Sequence, residues 1–219
     1  TGNGDFADVL AQTDHYMGRI MDTIDGLGIR DNTIVIFMAD NGATRVDKNG
    51  ELFGPWRGAG LGTGFEGSLR VPFLIRWPDN IPQGSSSDEI MHEMDLFTTF
   101  ASIAGGKIPE DRVIDGVDQT DFLTAKKEKS NRESFVIYAL GKIEGVKWRN
   151  WKTFSNGSPY PSIINLESNP KELVEKIDYF GHSWALYPIN KVLDQHRASL
   201  KANPPIEEGT PDPYVPPLR

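Results

Sequence analysis

Residues 33–42 read TIVIFMADNG. The run Ile34-Val35-Ile36-Phe37-Met38 is unbroken, apolar and rich in β-branched residues, and the stretch then stops on a carboxylate, an amide and a glycine: Asp40, Asn41, Gly42. A strand that is apolar on both faces belongs in the middle of a parallel sheet covered by helices, so the expected fold class is α/β. In open α/β sheets, ligands sit just beyond the carboxyl ends of such strands. Asp40 and Asn41 stand at that edge with hard oxygen atoms, which suit a hard cation such as Ca²⁺ or Mg²⁺. Gly42 lets the chain turn sharply after them. The same triplet also reads as a plain turn after a buried strand.

Upstream, residues 5–28 read as an amphipathic helix with Val9, Tyr16, Met17, Ile20, Met21, Ile24 and Leu27 on one side. Gly26 and Gly28 bracket its end. Asp14 and His15 on this helix read as solvated or capping residues. Helix, short connection and buried strand make half of an α/β unit. Downstream, residues 43–69 carry Gly50, Gly54, Gly58, Gly60, Gly62, Gly64 and Gly67. A loop so long and so rich in glycine is expected to approach a ligand closely; a loose surface loop is the alternative. It matches neither a P-loop, since no Gly-Lys-Ser/Thr follows, nor a dinucleotide fingerprint, since no strand leads in and no helix leaves.

Residues 71–77 form a second short apolar strand, with Pro72 near its start. Residues 90–104 read as a helix closed by Gly105-Gly106, with His92 and Asp95 on one face, pairing with each other or with the loop. The polar stretch 107–133 reads as a junction. Beyond it, 134–140, 145–154 and 162–166 are short strand-like runs separated by turn residues, as in an antiparallel sheet. Residues 184–200 read as a helix with Leu186, Ile189, Val192, Leu193 and Leu200 inward. The stretch 202–219 carries Pro204, Pro205, Pro211, Pro213, Pro216 and Pro217 and is expected to be an extended arm or disordered. No internal repeat is found.

The chain has 219 residues, 38% hydrophobic and 25% charged, which suits one good-sized domain or one domain with an appendage. The net charge of −8 argues against a nucleic-acid surface. With no cysteine, the chain can build no disulfide, thiolate metal site or cysteine nucleophile. No apolar run approaches the roughly 20 residues that span a bilayer. The chain does not begin with methionine and runs almost straight into a helix, so a fragment or processed piece is expected, and the compartment stays open.

Several stretches together resemble the C-terminal part of a sulfatase of the alkaline-phosphatase superfamily. DNTIVIFMADNG (31–42) resembles that family's second metal-binding motif. GTGFEGSLRVPFLIRWP (62–78) resembles its glycine-rich segment and following strand, and MHEMDLFTTFASIAG (91–105) the helix after it. DGVDQTDFL (115–123) resembles the connector into the smaller subdomain, whose strands GVKWRNWK (145–152) and SIINLESNPKE (162–172) resemble. The resemblance implies part of an alkaline-phosphatase-like sheet over 1–132, a small antiparallel-sheet and helix subdomain over 133–203, and a Pro-rich tail over 204–219. It implies hydrolysis of sulfate esters by a hydrated formylglycine nucleophile made from a Cys or Ser, beside a divalent cation, usually Ca²⁺. Asp40 and Asn41 match two of the cation's ligands.

The chain also departs from the pattern. No formylglycine motif, early aspartate pair or upstream catalytic His and Lys is present. Leu61 stands where the family often has a substrate-binding Lys, five residues before Glu66. Arg57 and Lys48 are the nearest cationic candidates, and an Arg can hold a sulfate with paired hydrogen bonds. Arg70 reads as a tie between loop and sheet. The resemblance therefore implies half of a metal site and no nucleophile, so the chain alone is expected to be inactive. Its expected partners are the N-terminal portion of the same protein, a sulfate-ester small molecule or glycan, and further copies of itself through an exposed sheet edge. Two other readings stand: a non-catalytic remnant or assembly module, with Leu61 as one symptom, and a phosphate or phosphonate ester hydrolase of the same superfamily.

Overall fold

The computed structural model describes residues 4–43, 55–154, 162–173 and 179–205, together with Gly2, Gly209 and Thr210. Lys48, Gly50 and Gly54, and most of the proline-rich stretch 204–219, lie outside the described residues. Helix α1 spans Asp5–Gly26 and ends on Leu27, with Gly28 at φ 68°. None of its residues is buried: Met17, Met21 and Ile24 are half-covered, while Val9, Tyr16, Ile20 and Leu27 are exposed. The apolar stripe is therefore real, yet only one flank of it meets other described residues.

Strand β1 is Val35–Met38 and pairs with β2, Phe73–Arg76. The pairing is antiparallel, with Val35 opposite Arg76 and Met38 opposite Phe73. The parallel neighbour expected of the 34–38 run is thus not β2. Among the described residues between β1 and β2 the only helix is the single turn Glu66–Leu69, and a return without a crossover helix permits antiparallel pairing. Arg76 fastens this ribbon to α1, donating to Asp25 at 2.6 Å and to the Met21 sulfur at 3.4 Å.

Helix α3, Met94–Ile103, starts four residues after the expected position. The reason is capping: the His92 amide donates to the Asp95 carboxylate at 3.0 Å, and the Met94 amide to His92 Nδ1 at 3.2 Å. So the His92–Asp95 pair is joined through backbone, and the imidazole itself packs edge-on against Phe135. Its C-terminus closes as expected, with Gly105 at φ 70° and the Gly106 amide donating to Ala101 at 2.7 Å.

The polar stretch 107–133 is more than a linker. It carries α4, Thr120–Leu123, and buries Gln119, Ser130 and Arg132. The Arg132 guanidinium grips the fully buried Asp95, from Nε at 2.8 Å and Nη2 at 2.5 Å. Burial opposes ionisation of Asp95, but the bonds from Arg132 and from the Val117 and His92 amides outweigh it and hold the carboxyl below its usual range. The ion pair thus sews α3 to the start of the second sheet.

That sheet is antiparallel in the order β3-β4-β5-β6: Ser134–Ala139, Lys142–Trp148, Trp151–Phe154 and Ser162–Asn165. The run expected over 145–154 is two strands, because Arg149 turns the chain at φ 52°. A short helix α5, Tyr179–His182, leads into α6, Leu186–Ala202. The main apolar core lies between this sheet and α6, where Val146, Ile163, Ala185 and Ile189 are at most 1% exposed. Each large side chain buried there contributes about 1.5–3 kcal/mol. Leu200 sits at the edge, 36% exposed, rather than inward.

Candidate functional site

The chain leaves β1 at Met38 and turns at Asp40, Asn41 and Gly42. Asp40 is exposed, and among the described residues its carboxylate has no hydrogen-bond or ion-pair partner. Asn41 spends its amide nitrogen on the Gly42 carbonyl at 2.7 Å, which leaves its side-chain oxygen available. Glu93 lies close enough to feel Asp40: burial first, then the charge of Asp40, raise its carboxyl above the usual range. Carboxylate and amide oxygens of this kind fit a hard divalent cation. No group of three or more His, Cys, Asp or Glu able to hold a metal exists among the described residues. A cation seated here would draw the rest of its ligands from elsewhere.

The turn is braced from behind. Gly42 is buried and its amide donates to the Ser68 carbonyl at 3.0 Å, while the Gly60 amide donates to Ala43 at 3.0 Å. Ser68 belongs to α2, the single turn Glu66–Leu69, in which Glu66, Gly67 and Ser68 are buried. A methyl group on Gly42 would sit 1.9 Å from the Gly67 carbonyl oxygen, so only glycine fits at this crossing.

Beneath α2 lies a cluster that pattern reading passed over. Glu66 receives Lys152 at 3.0 Å, Lys147 at 2.8 Å and Arg70 at 2.7 Å. Lys152 also meets Glu172 at 2.9 Å, and Glu172 accepts the Glu66 amide at 2.7 Å. Glu66, Lys152 and Glu172 are fully buried. Burial alone would raise the Glu66 carboxyl. The charges of Lys152 and Lys147, with the bonds from Lys147 and Arg70, win and bring it down to about 2. Lys147 is pushed below its usual value by burial, which the charge and hydrogen bond of Glu66 only partly offset, with smaller repulsions from Arg70 and Lys152 added. Arg70 was expected to tie loop to sheet, and through Glu66 it does, with its guanidinium stacked 4.1 Å over Trp56.

Arg57 lies in the glycine-rich loop with its guanidinium 4.1 Å over the Phe65 ring and donating to the Glu172 carbonyl at 2.9 Å. These contacts fasten the loop to the small sheet's end. Leu61 is 76% exposed on the same loop. Elsewhere a cleft of about 580 Å³ runs between β3 and α6, holding a Tyr138–His196 hydrogen bond of 2.6 Å; Asp40, Asn41 and Arg57 do not line it.

Comparison with known proteins gives a consistent picture. The family model described as Sulfatase matches residues 4–106, and that described as N-sulphoglucosamine sulphohydrolase, C-terminal, matches residues 63–173. Rat N-acetylgalactosamine-6-sulfatase is 43% identical over 234 residues, covering 92% of this chain and 44% of the relative. Human steryl-sulfatase is 34% identical over 163 residues, covering 69% of this chain and 28% of the relative. Among solved structures, the PsFucS1 sulfatase from Pseudoalteromonas sp. superposes with a TM-score of 0.80 at 25% identity, over 91% of this chain and 44% of that one. The chain thus spans less than half the length of these relatives.

Proposed function

The chain belongs to the sulfatase family, and from that premise we propose that it is the C-terminal part of a metal-dependent sulfate-ester hydrolase. In this reading Asp40 and Asn41 supply part of the coordination of a divalent cation, Ca²⁺ first and Mg²⁺ second. Bound there, the cation neutralises sulfate charge and stabilises the charge that builds in the transition state. The observation that carries the reading is the pair itself. Two hard oxygen donors stand side by side past the end of β1, unspent on other described residues and held by a buried glycine crossing. The remaining ligands and the formylglycine nucleophile belong to an N-terminal portion that precedes this stretch in the intact protein. The chain by itself is inactive, and the exposed apolar positions of α1 (Phe6, Val9 and Leu10) are where it meets that portion or another copy.

Asp40 has the role of a charged ligand. Asn41 adds a neutral oxygen, its orientation fixed by the bond from its own nitrogen to Gly42. Arg57 is assigned to loop anchoring. The substrate class, a sulfated small molecule or glycan, rests on the family.

The test is metal content and sulfate-ester turnover in the intact natural protein, beside Asp40→Ala and Asn41→Ala variants whose fold is verified by circular dichroism. The expected result is one cation lost in Asp40→Ala and turnover reduced by a factor on the order of 10² or more. Full metal occupancy and full turnover in both variants would overturn the assignment. A second reading has one observation in its favour: Leu61 places an exposed alkyl side chain where the family often has a lysine. A wild-type protein with neither cation nor turnover would establish that reading, a non-catalytic module, instead.

A further inference from the structure

We propose that Lys147, Lys152 and Glu66 are positioning residues for the Asp40–Asn41 turn, so that the small sheet sets the geometry of the cation site. The proposal rests on the metal-site reading above. It starts from strand register. Lys147 on β4 and Lys152 on β5 are direct cross-strand partners, so their side chains share a face. Like charges in that relation repel, and Lys152 is fully buried, where an unpaired ammonium costs several kcal/mol. The pair is tolerable only with an anion between the two, and Glu66 fills that slot with one carboxylate oxygen on each lysine.

Glu66 reaches the slot from another part of the fold. It opens α2, and the two residues after it form the surface on which the metal turn rests. The Gly42 amide donates to Ser68, and Gly42 touches the Gly67 carbonyl so closely that no side chain fits between them. Two further bonds hold the same segment to the subdomain: the Gly64 amide to Glu144 at 2.7 Å and the Glu66 amide to Glu172 at 2.7 Å. Asp40 and Asn41 have no long-range side-chain bond of their own among the described residues. Their position is therefore inherited through Gly42 from α2, and that of α2 from the lysine pair. Replacing the whole cluster, carboxylates included, by well-packed apolar groups would serve stability as well or better. What the charges add is a fixed depth and angle for α2.

The experiment uses the intact natural protein with Lys152→Met, Lys147→Met and a control, Arg132→Met. The control breaks a buried ion pair that makes no hydrogen bond to α2 among the described residues. Lys147 retains some exposure, so its variant keeps the test open should Lys152→Met fail to fold. Two quantities are read: the Ca²⁺ dissociation constant by titration calorimetry, and amide exchange of the peptide containing Gly42 by mass spectrometry. Loss of an outer positioning contact weakens metal binding by about ten- to a hundred-fold. That weakening is expected for both lysine variants with one equivalent still bound, together with faster Gly42 exchange, and neither change is expected in Arg132→Met at comparable loss of stability. Lysine variants that match the control in both readouts would overturn the coupling. A wild-type protein that takes up no Ca²⁺ would overturn the metal reading alone, and the exchange arm would still decide the coupling.

Discussion

Substituting alanine at Gly42 tests the crossing between the 40–42 turn and α2 directly. The added methyl would lie 1.9 Å from the Gly67 oxygen, 2.7 Å from its carbonyl carbon and 2.8 Å from Ser68 Cα. Ordinary contact begins near 3.4 Å, so the two backbones must part by about 1.5 Å. All three neighbours are main chain, and no rotamer change can make room. Overpacking of this kind costs about 1–3 kcal/mol. Parting the backbones also breaks the Gly42–Ser68 hydrogen bond, worth about 1 kcal/mol. The expected loss is therefore about 2–4 kcal/mol, read as ΔΔG from urea unfolding of the intact natural protein. Gly62→Ala is the control. It lies on the same loop, but open space surrounds its Cβ position, and it is expected to stay within about 0.5 kcal/mol of wild type. The reasoning fails if Gly42→Ala is as mild as Gly62→Ala, because the crossing would then be able to yield.

Arg132→Met leaves the buried Asp95 without its cation and is expected to cost about 3–5 kcal/mol in urea unfolding, with much of that recovered in the Asp95→Leu/Arg132→Met double variant. The Glu66 carboxyl sits at about 2 when folded against an ordinary 4.5, so its stabilisation is complete above pH 4.5 and is lost as pH falls toward 2. The amount is about 3 kcal/mol, and unfolding free energies of wild type and Glu66→Gln measured across that window should converge as pH drops; parallel curves would refute it. Arg57→Ala removes the stacking on Phe65 and the bond to Glu172, an expected loss of about 1–2 kcal/mol. With the fold intact, its sulfate-ester turnover is expected to be unchanged, and a large drop would instead place Arg57 on the substrate.

What was legible in the sequence was whatever its neighbours in the chain determine. The 33–42 stretch announced its strand, its turn and its oxygen donors because all three are local. The heptad-like stripe of α1 announced a helix, and Gly105-Gly106 its companion's end. The partner of β1 was not legible: apolarity on both faces says that a strand is to be covered, and leaves its neighbour's direction open. Nor was the split of 145–154, since Arg149 is a non-glycine residue at positive φ and carries no turn signature. The buried charge cluster was least visible of all. Glu66 meets Lys147, Lys152 and Glu172 across 81, 86 and 106 residues of chain, and no periodicity links charged residues at such separations. Alternation gave no hint either: Lys147 falls between Val146 and Trp148, and Lys152 follows Trp151; those three apolar residues pack on the core beside α6, so both lysines read as outward-facing.

The division between what is open and what is closed has a physical logic. The buried charges that face another described element are paired. Asp95 has Arg132, Glu66 has three cations, and the apolar core beside α6 is nearly dry. What faces outward at the 40–42 turn is left unspent by the described residues: the Asp40 carboxylate and the Asn41 oxygen. A turn that served only to end β1 would gain from a local cap, because an aspartate beside backbone amides readily accepts a bond from them. Asp40 makes no such bond among the described residues, while the glycine two positions later is held with no room to spare. Firm support behind ligand atoms that remain free is the arrangement a cation site requires, since preorganised donors lose little entropy when the ion arrives. In the proposed reading the small sheet supplies that firmness, and a subdomain that would carry no ligand still belongs to the site.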